Sequence, residues 1–194
     1  MKERVVLAGV LVCASATLGA AGIFAQDKDK SKDGIEVTVH GKDTDAGLSI
    51  KAEATAKEVG LPLYPNSRPH KDNKDDSSSA NVGLWGNTFG FKLVVLKMES
   101  DDATDKVAAF YQKALAKYGK VLDCSNNAPG ADDKDKDKES TKLTCQDDRP
   151  DPGGRIFKAG SKNKQHIVGI KPSGAGSEFN LVYLEGHSDD KTPL

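Results

Sequence analysis

The sequence has no marked excess of either charge and lacks the short motifs that identify common catalytic and cofactor sites. Its 28 Lys and Arg residues nearly balance its 29 Asp and Glu residues, whereas a dedicated nucleic-acid binder usually presents a concentrated basic face. A Gly-x-Ser-x-Gly nucleophile elbow, a His-Glu-x-x-His zinc helix and a Gly-rich phosphate loop are all missing from the chain. The composition therefore argues against nucleic acid as a partner, and the motifs predict no catalytic residue, no cofactor and no metal ion.

Cysteine is scarce, with three residues in the whole chain. Cys13 lies in an apolar N-terminal segment, so Cys124 and Cys145 would remain as an even pair in an exported protein, which predicts a disulfide. Their spacing is far from the Cys-x-x-Cys arrangement of redox-active pairs, which favours a structural role. In the chain-entropy model a loop of this length contributes roughly 3 kcal/mol.

The N-terminus has the organisation of a secretory leader. A short charged start, Met1 to Arg4, precedes the uncharged segment Val5 to Phe24, and Ala25 offers a small residue before a cleavage site at Gln26. We therefore predict a signal peptide over residues 1–25 and a periplasmic or extracellular location. The absence of an Asn-x-Ser/Thr sequon favours a bacterial setting. The alternative is a retained membrane anchor, because an apolar helix of this length, at 1.5 Å per residue, would span a bilayer core of about 30 Å.

The composition divides the rest of the chain into three parts. Residues 26–59 are predicted to form a charged linker and a β-hairpin, residues 60–186 a single α+β domain, and residues 187–194 a polar tail. The hairpin prediction rests on alternating apolar residues between Ile35 and Ala54, and whether this hairpin joins the main sheet stays open. Three tracts of low apolar content are predicted to be solvated loops: Asp27–Asp33, His70–Ser79 and Asp132–Ser140.

The main domain combines one helical pattern with several strand patterns. Apolar residues at helical spacing predict an amphipathic helix from Ala103 to Tyr118. Apolar residues on both alternating sets of Phe89 to Leu96 predict a central strand that is covered on both faces. Five further strands are predicted after the helix: Lys120–Cys124, Thr141–Gln146, Arg155–Ala159, Gln165–Ile170 and Phe179–Glu185. The predicted fold is an α+β domain, an antiparallel sheet of about five to seven strands with one long helix packed on a face.

Two short patterns resemble uncharacterised exported bacterial proteins. They are the bend Leu61-Pro-x-Tyr64-Pro65 and the helix pattern Phe110-Tyr111-x-x-x-Leu115-x-x-x-Gly119, followed by a strand. The resemblance covers roughly Gly60 to Tyr183. It implies no activity, cofactor or site residue that can be transferred to this chain.

Four residues are candidates for a ligand-binding surface. Tyr64, Trp85 and Phe89 could form an aromatic platform for a sugar or a peptide, although core packing is the alternative explanation for such residues. His166 lies in a predicted strand and could line a pocket, or it could be a hydrogen-bonded strand histidine. A calcium site is not predicted at Asp29–Gly34, because the twelfth position of that loop is His40 rather than a bidentate carboxylate.

These observations favour an exported, non-catalytic domain that binds a ligand or a partner, or that serves in the cell envelope. The expected partner is a small ligand or an envelope protein, with membrane contact only where the N-terminal segment is retained as an anchor. The alternative is a small secreted hydrolase or other enzyme whose site assembles from distant residues, with His166 and nearby carboxylates as the candidates.

Overall fold

A computed structural model describes residues 34–40, 45–51, 53–126, 142–145 and 148–188. The predicted signal peptide, the calcium-like stretch before Gly34, the first and third Lys/Asp tracts and Cys13 lie outside these ranges. The described elements are β1 (Gly34–His40), β2 (Asp45–Lys51), α1 (Ala56–Val59), β3 (Arg68–Pro69), β4 (Ser79–Gly86), β5 (Phe89–Ser100), α2 (Thr104–Leu115), a 3₁₀ turn (Ala116–Tyr118), β6 (Leu122–Asp123), β7 (Arg155–Ser161), β8 (Lys164–Ser173) and β9 (Gly176–Ser188).

All the described strands belong to one antiparallel sheet. Its order is β1-β2-β4-β5-β9-β8-β7-β6, and β3 pairs with β5 beyond the end of β4. The α+β class is confirmed, but the predicted count of five to seven strands is wrong, since the sheet has nine. The hairpin adds two of them, because Ala46 to Lys51 of β2 pairs with Asn81 to Gly86 of β4.

The main helix is shorter than the sequence pattern predicts. It is α-helical from Thr104 to Leu115, which corresponds to about 18 Å rather than the 24 Å of a helix continuing to Tyr118. The last turn tightens into a 3₁₀ turn, in which the Gly119 amide donates to the Ala116 carbonyl at 3.2 Å. Helices often end this way because the final carbonyl groups lack partners four residues ahead.

The hydrophobic core lies between α2 and one face of the sheet. Val107, Tyr111 and Leu115 of the helix are fully buried against strands β7, β8 and β9. The segment after α1 completes this layer through Val59 and Leu61, which are also buried. The sheet contributes the remaining buried apolar side chains, which are Val94, Leu96, Met98, Phe157, Ala159, Val168, Ile170, Phe179, Leu181 and Tyr183.

Strand β5 is covered on one face only, contrary to the sequence prediction. Val94 and Leu96 point into the core and are buried, whereas Leu93 and Val95 on the opposite face remain partly exposed. In β5, therefore, one apolar face packs in the core, and the other apolar face stays partly open.

Two segments differ from their predicted states. Residues 142–145, the described part of the predicted strand Thr141–Gln146, form no strand. At the other end, β9 continues through His187 to Ser188, where the sequence predicted the start of a polar tail. Within the described ranges, no helix has the length and apolar character that crossing a membrane requires.

Cys124 and Cys145 form the predicted disulfide, with Cα atoms 5.2 Å apart. A half-buried ion pair lies beside it, in which the Lys158 ammonium is 2.6 Å from Asp148 Oδ2 and 3.3 Å from the Thr144 carbonyl. The disulfide attaches Cys145 to Cys124 at the end of β6, and the ion pair attaches Asp148 to β7.

Candidate functional site

The structure does not bring Tyr64 together with the other two predicted platform residues. The Tyr64 ring packs edge-on against Phe110 at 5.2 Å between centroids, and its hydroxyl donates to Asp102 Oδ2 at 2.9 Å. Its backbone amide donates to the Tyr111 hydroxyl at 3.1 Å. These contacts attach the proline-rich bend to α2, so Tyr64 acts in packing rather than in a ligand surface.

Trp85 and Phe89 lie on opposite faces of the sheet. Trp85 is directly opposite Gly90 in the β4–β5 pairing, and successive residues of a strand point to opposite faces. Phe89, one residue before Gly90, therefore projects away from the indole. Both side chains are more than a third exposed, but they cannot form one platform.

His166 is buried and is held on three sides. Its ring stacks on Tyr118 with centroids 3.5 Å apart, and Nδ1 lies 3.0 Å from the Val59 carbonyl oxygen, to which it donates. Tyr183 contacts the ring at 5.0 Å between centroids. Burial lowers the pKa of His166 below its usual value, so the neutral imidazole is favoured. His166 therefore joins β8 to the end of α1, and its ring is not open to a substrate.

A concave surface lies beside the helix layer, where α1 and α2 leave part of the sheet uncovered. It is a groove of about 490 Å³ over strands β2, β4, β5 and β9. Its wall contains the one tryptophan of the chain, so we call it the Trp85 groove. Its lining residues are Ser49, Lys51, Glu58, Asn81, Gly83, Leu84, Trp85, Gly90, Phe91, Lys92, Glu185 and His187.

Glycines form the floor of the Trp85 groove and allow two rings to lie on the sheet. A Cβ atom on Gly47 would come within 2.2 Å of the Trp85 ring, and a Cβ on Gly90 would come equally close to the His187 ring. Gly83 lies beside them, and a Cβ there would meet no atom closer than 3.9 Å. The absence of side chains at these positions creates both the depth of the groove and the seat of the indole.

Glu58 is fixed at one wall of the Trp85 groove by a capping box at the start of α1. The Thr55 amide donates to Glu58 Oε2 at 2.8 Å, and Asn81 Nδ2 donates to Oε1 at 2.8 Å. Burial acts to raise the pKa of Glu58, but these hydrogen bonds and the nearby charge of Lys51 outweigh burial and lower it below its usual value. Glu58 is therefore an ionised, pre-oriented acceptor.

Lys92 and Glu185 lie opposite each other in the β5–β9 pairing and form another part of the wall. The Tyr183 hydroxyl donates to Glu185 Oε2 at 2.5 Å, and this bond is the main cause that lowers the Glu185 pKa. Within the described ranges, neither Lys92 nor Lys51 has an acidic partner within 4.0 Å. The lining thus holds two lysines and two glutamates, and Lys164 at its margin pairs with Glu185 at 3.6 Å.

A second charged cluster surrounds His70 on the opposite face of the sheet. His70 Nδ1 lies 2.5 Å from Glu99 Oε2, and Nε2 lies 3.3 Å from Glu178 Oε2. The bond to Glu99 is the main cause that raises the pKa of His70. Arg68 also pairs with Glu99, and Lys171 pairs with Glu178. Because each carboxylate has a basic partner, this cluster links residues 68–70 to β5 and β9 as an ion network beside a smaller cavity of about 320 Å³.

One set of described side chains meets the distance requirement for a metal site. It consists of Cys124, Cys145 and Asp148. Both sulfur atoms are joined in the disulfide, and Asp148 is paired with Lys158. The set therefore offers no thiolate to a metal ion in this oxidised state.

Sequence reasoning identified Trp85 but missed the other groove residues. Lys51, Glu58, Lys92, Glu185 and His187 belong to three different strands and a short helix, and only strand register brings them together. Gly83, Gly86 and Gly90 flank Trp85 and Phe89, and this spacing alone equally predicts tight turns. The sequence does hold one signal of the groove. Gly83 and Gly90 lie on the same face of the β4–β5 hairpin as the single tryptophan, where they leave that face without side chains.

No family model matches the sequence, and comparisons with curated proteins and with solved structures find no similar protein.

Proposed function

We propose that this protein is an exported, non-catalytic binding domain whose Trp85 groove holds a neutral saccharide. One observation carries the proposal: the only tryptophan of the chain lies on a glycine floor, partly exposed, among two lysines and two hydrogen-bonded glutamates.

The groove chemistry matches the two sides of a pyranose ring. The flat C–H face of such a ring packs on an indole, which offers a large rigid apolar surface. The hydroxyl groups at the ring edge require both donors and acceptors, which Lys51, Lys92, Glu58 and Glu185 supply. A mainly apolar contact with a few placed polar groups is the usual pattern of a small-ligand site.

Two other ligand classes fit the groove less well. A phosphorylated ligand would require an excess of basic side chains, whereas the groove lining holds equal numbers of lysines and glutamates. An extended peptide usually binds by adding to a sheet edge through main-chain hydrogen bonds. The floor strands β4 and β5 are already paired on both sides, so a peptide would have to rely on side chains alone.

Export is supported by the disulfide and by the leader-like N-terminal sequence. The Cys124–Cys145 bond is compatible with an oxidising compartment. Saccharide polymers are abundant in bacterial envelopes and their surroundings, so an exported domain would meet the proposed ligand there. The enzymatic alternative is weakened, because it relied on His166, which is enclosed by Tyr118 and Tyr183.

Calorimetric titration of the exported protein with chitotriose and cellotriose tests the proposal. We expect saturable binding of at least one of these neutral trisaccharides, and a loss of about tenfold or more in affinity for Trp85→Ala, because the apolar stacking surface is removed. Phe89→Ala is the matched control, since it removes an equally exposed aromatic from the opposite face of the same hairpin. Equal binding by Trp85→Ala and wild type, or no binding of either sugar at millimolar concentration, would contradict the proposal.

A further inference from the structure

The sheet face opposite the Trp85 groove carries an extended apolar surface on strands β1, β2, β4, β5 and β9. The strand register places its side chains in continuous cross-strand rows. One row runs Ile35, Ile50, Val82, Leu93 and Leu184, and the next runs Val37, Leu48, Leu84 and Phe91. We call this surface the β1–β5 apolar face.

The β1–β5 apolar face is open to an unusual degree. Ile35 is 60% exposed, and Val37, Ile50 and Leu84 are each close to 40% exposed. Exposed apolar residues scattered singly are normal, but contiguous patches of this kind mark interaction sites. Six of the eight large exposed hydrophobic residues of the described chain belong to this face or its margin: Ile35, Val37, Val39, Ile50, Leu84 and Phe89.

The charge distribution on this side of the sheet restricts the partner. The two rows contain no charged residue, whereas the other end of the same face carries the His70 ion network. A charged partner surface would lose hydration on this face without gaining a counter-charge. A second copy of the same face is uncharged and has the same extent. When the twofold axis lies in the interface at right angles to the strands, the two ion networks lie at opposite ends.

The size of the face is sufficient for a dimer. Seven residues at about 3.4 Å per residue and five strands at about 4.8 Å spacing give a square of about 24 Å by 24 Å. Two copies then cover about 1,150 Å² in projection, which exceeds the roughly 1,000 Å² expected of a specific interface. Side chains add further accessible area to this projected value.

We propose that two copies of this chain pack their β1–β5 apolar faces together as a two-layered sandwich. The mean strand directions would differ by about 30°, with the sheets about 10 Å apart. Both Trp85 grooves lie on the outer sides of this sandwich and stay open. The dimer is therefore independent of the proposed saccharide site, and either proposal can fail without the other.

The molar mass of the exported protein in solution, measured by light scattering or sedimentation, tests the dimer. We expect wild type to have twice the monomer mass at about 50 μM. Val37→Lys places a charge in the middle of β1, the edge strand of each apolar face, and we expect at least a hundredfold weaker association. Thr38→Lys adds the same charge to the next residue of β1, on the opposite face, and is expected to remain dimeric. Circular dichroism and the melting temperature check that both variants are folded.

Three results would overturn the dimer. The first is a wild-type protein that is monomeric at about 100 μM. The second is equal association of Val37→Lys and Thr38→Lys. The third is a wild-type monomer that floats with phosphatidylcholine vesicles in a density gradient, since the face would then meet lipid rather than a second copy.

Discussion

The indole ring of Trp85 lies directly on the backbone of Gly47, one strand away in the sheet. A Cβ atom at Gly47 would come within 2.2 Å of Trp85 Cζ2, which is well inside van der Waals contact. The two residues face each other in the β2–β4 register. This pairing sets the orientation of the indole in the groove wall. Gly47 therefore contributes to the proposed binding function although it has no side chain to contact a ligand.

Gly47→Ala is therefore expected to displace the indole. Removing a glycine from a strand normally leaves stability unchanged or raises it by up to about 1 kcal/mol, but here the added methyl group must push the ring off the strand. We predict a shifted tryptophan emission maximum, a lower melting temperature and weaker chitotriose binding. Gly169→Ala in β8 is the control, because its Cβ would meet no atom within 4 Å. An unchanged emission spectrum in Gly47→Ala would contradict the account of the groove.

His166→Leu is expected to destabilise the domain by about 2 kcal/mol, because the buried Val59 carbonyl loses its donor. The loss should depend on pH. Since burial lowers the folded-state pKa of His166, the unfolded chain binds a proton more readily, and wild-type stability falls as the pH drops below 6.5. The difference in melting temperature between wild type and variant should therefore be smaller at about pH 5 than at about pH 8. A difference that grows toward acidic pH would show that His166 is charged in the fold.

His70→Gln is expected to show the opposite pH dependence. The bond to Glu99 raises the folded-state pKa of His70 above 6.5, so the stabilising contribution is complete below pH 6.5 and is lost as the pH rises through the folded-state pKa. Below about pH 4.5 it also weakens, because Glu99 and Glu178 then take up protons. We predict a larger loss of melting temperature at about pH 6 than at about pH 9. His40→Gln is the control, because His40 is exposed and pairs with Asp45, and we expect it to change the melting temperature little. An equal loss of melting temperature at both pH values in His70→Gln would contradict the ion network.

Local patterns were sufficient to predict the main elements of the fold. A clear periodicity marks the helix from Thr104, the strand from Phe89 and the hairpin near Ile35. The disulfide was predictable because Cys124 and Cys145 had no other partner once Cys13 was assigned to the leader. The strand count was underestimated because the hairpin joins the main sheet through β2 and β4, and because β3 has only two residues, so that it depends on pairing with β5 rather than on a pattern of its own.

The site was harder to predict because it depends on register. Periodicity shows that Trp85 and Phe89 lie in strands, but the number of residues in the turn between them decides which face each occupies. His166 has the pattern of a half-buried strand residue, and its neutral, enclosed state depends on Tyr118 and Val59, which are distant in sequence. To predict the role of Glu58, one would need to know both that the capping box forms and that Asn81 lies beside its carboxylate.

Intrinsic fluorescence during titration with chitotriose and cellotriose tests the central claim most directly. Trp85 is the only tryptophan of the chain, so its emission reports on the groove alone. We predict a saturable blue shift with at least one of these sugars, together with reduced quenching by acrylamide, because the sugar ring would cover the exposed indole face. An emission spectrum and a quenching constant that stay the same up to millimolar sugar would contradict a saccharide site at Trp85.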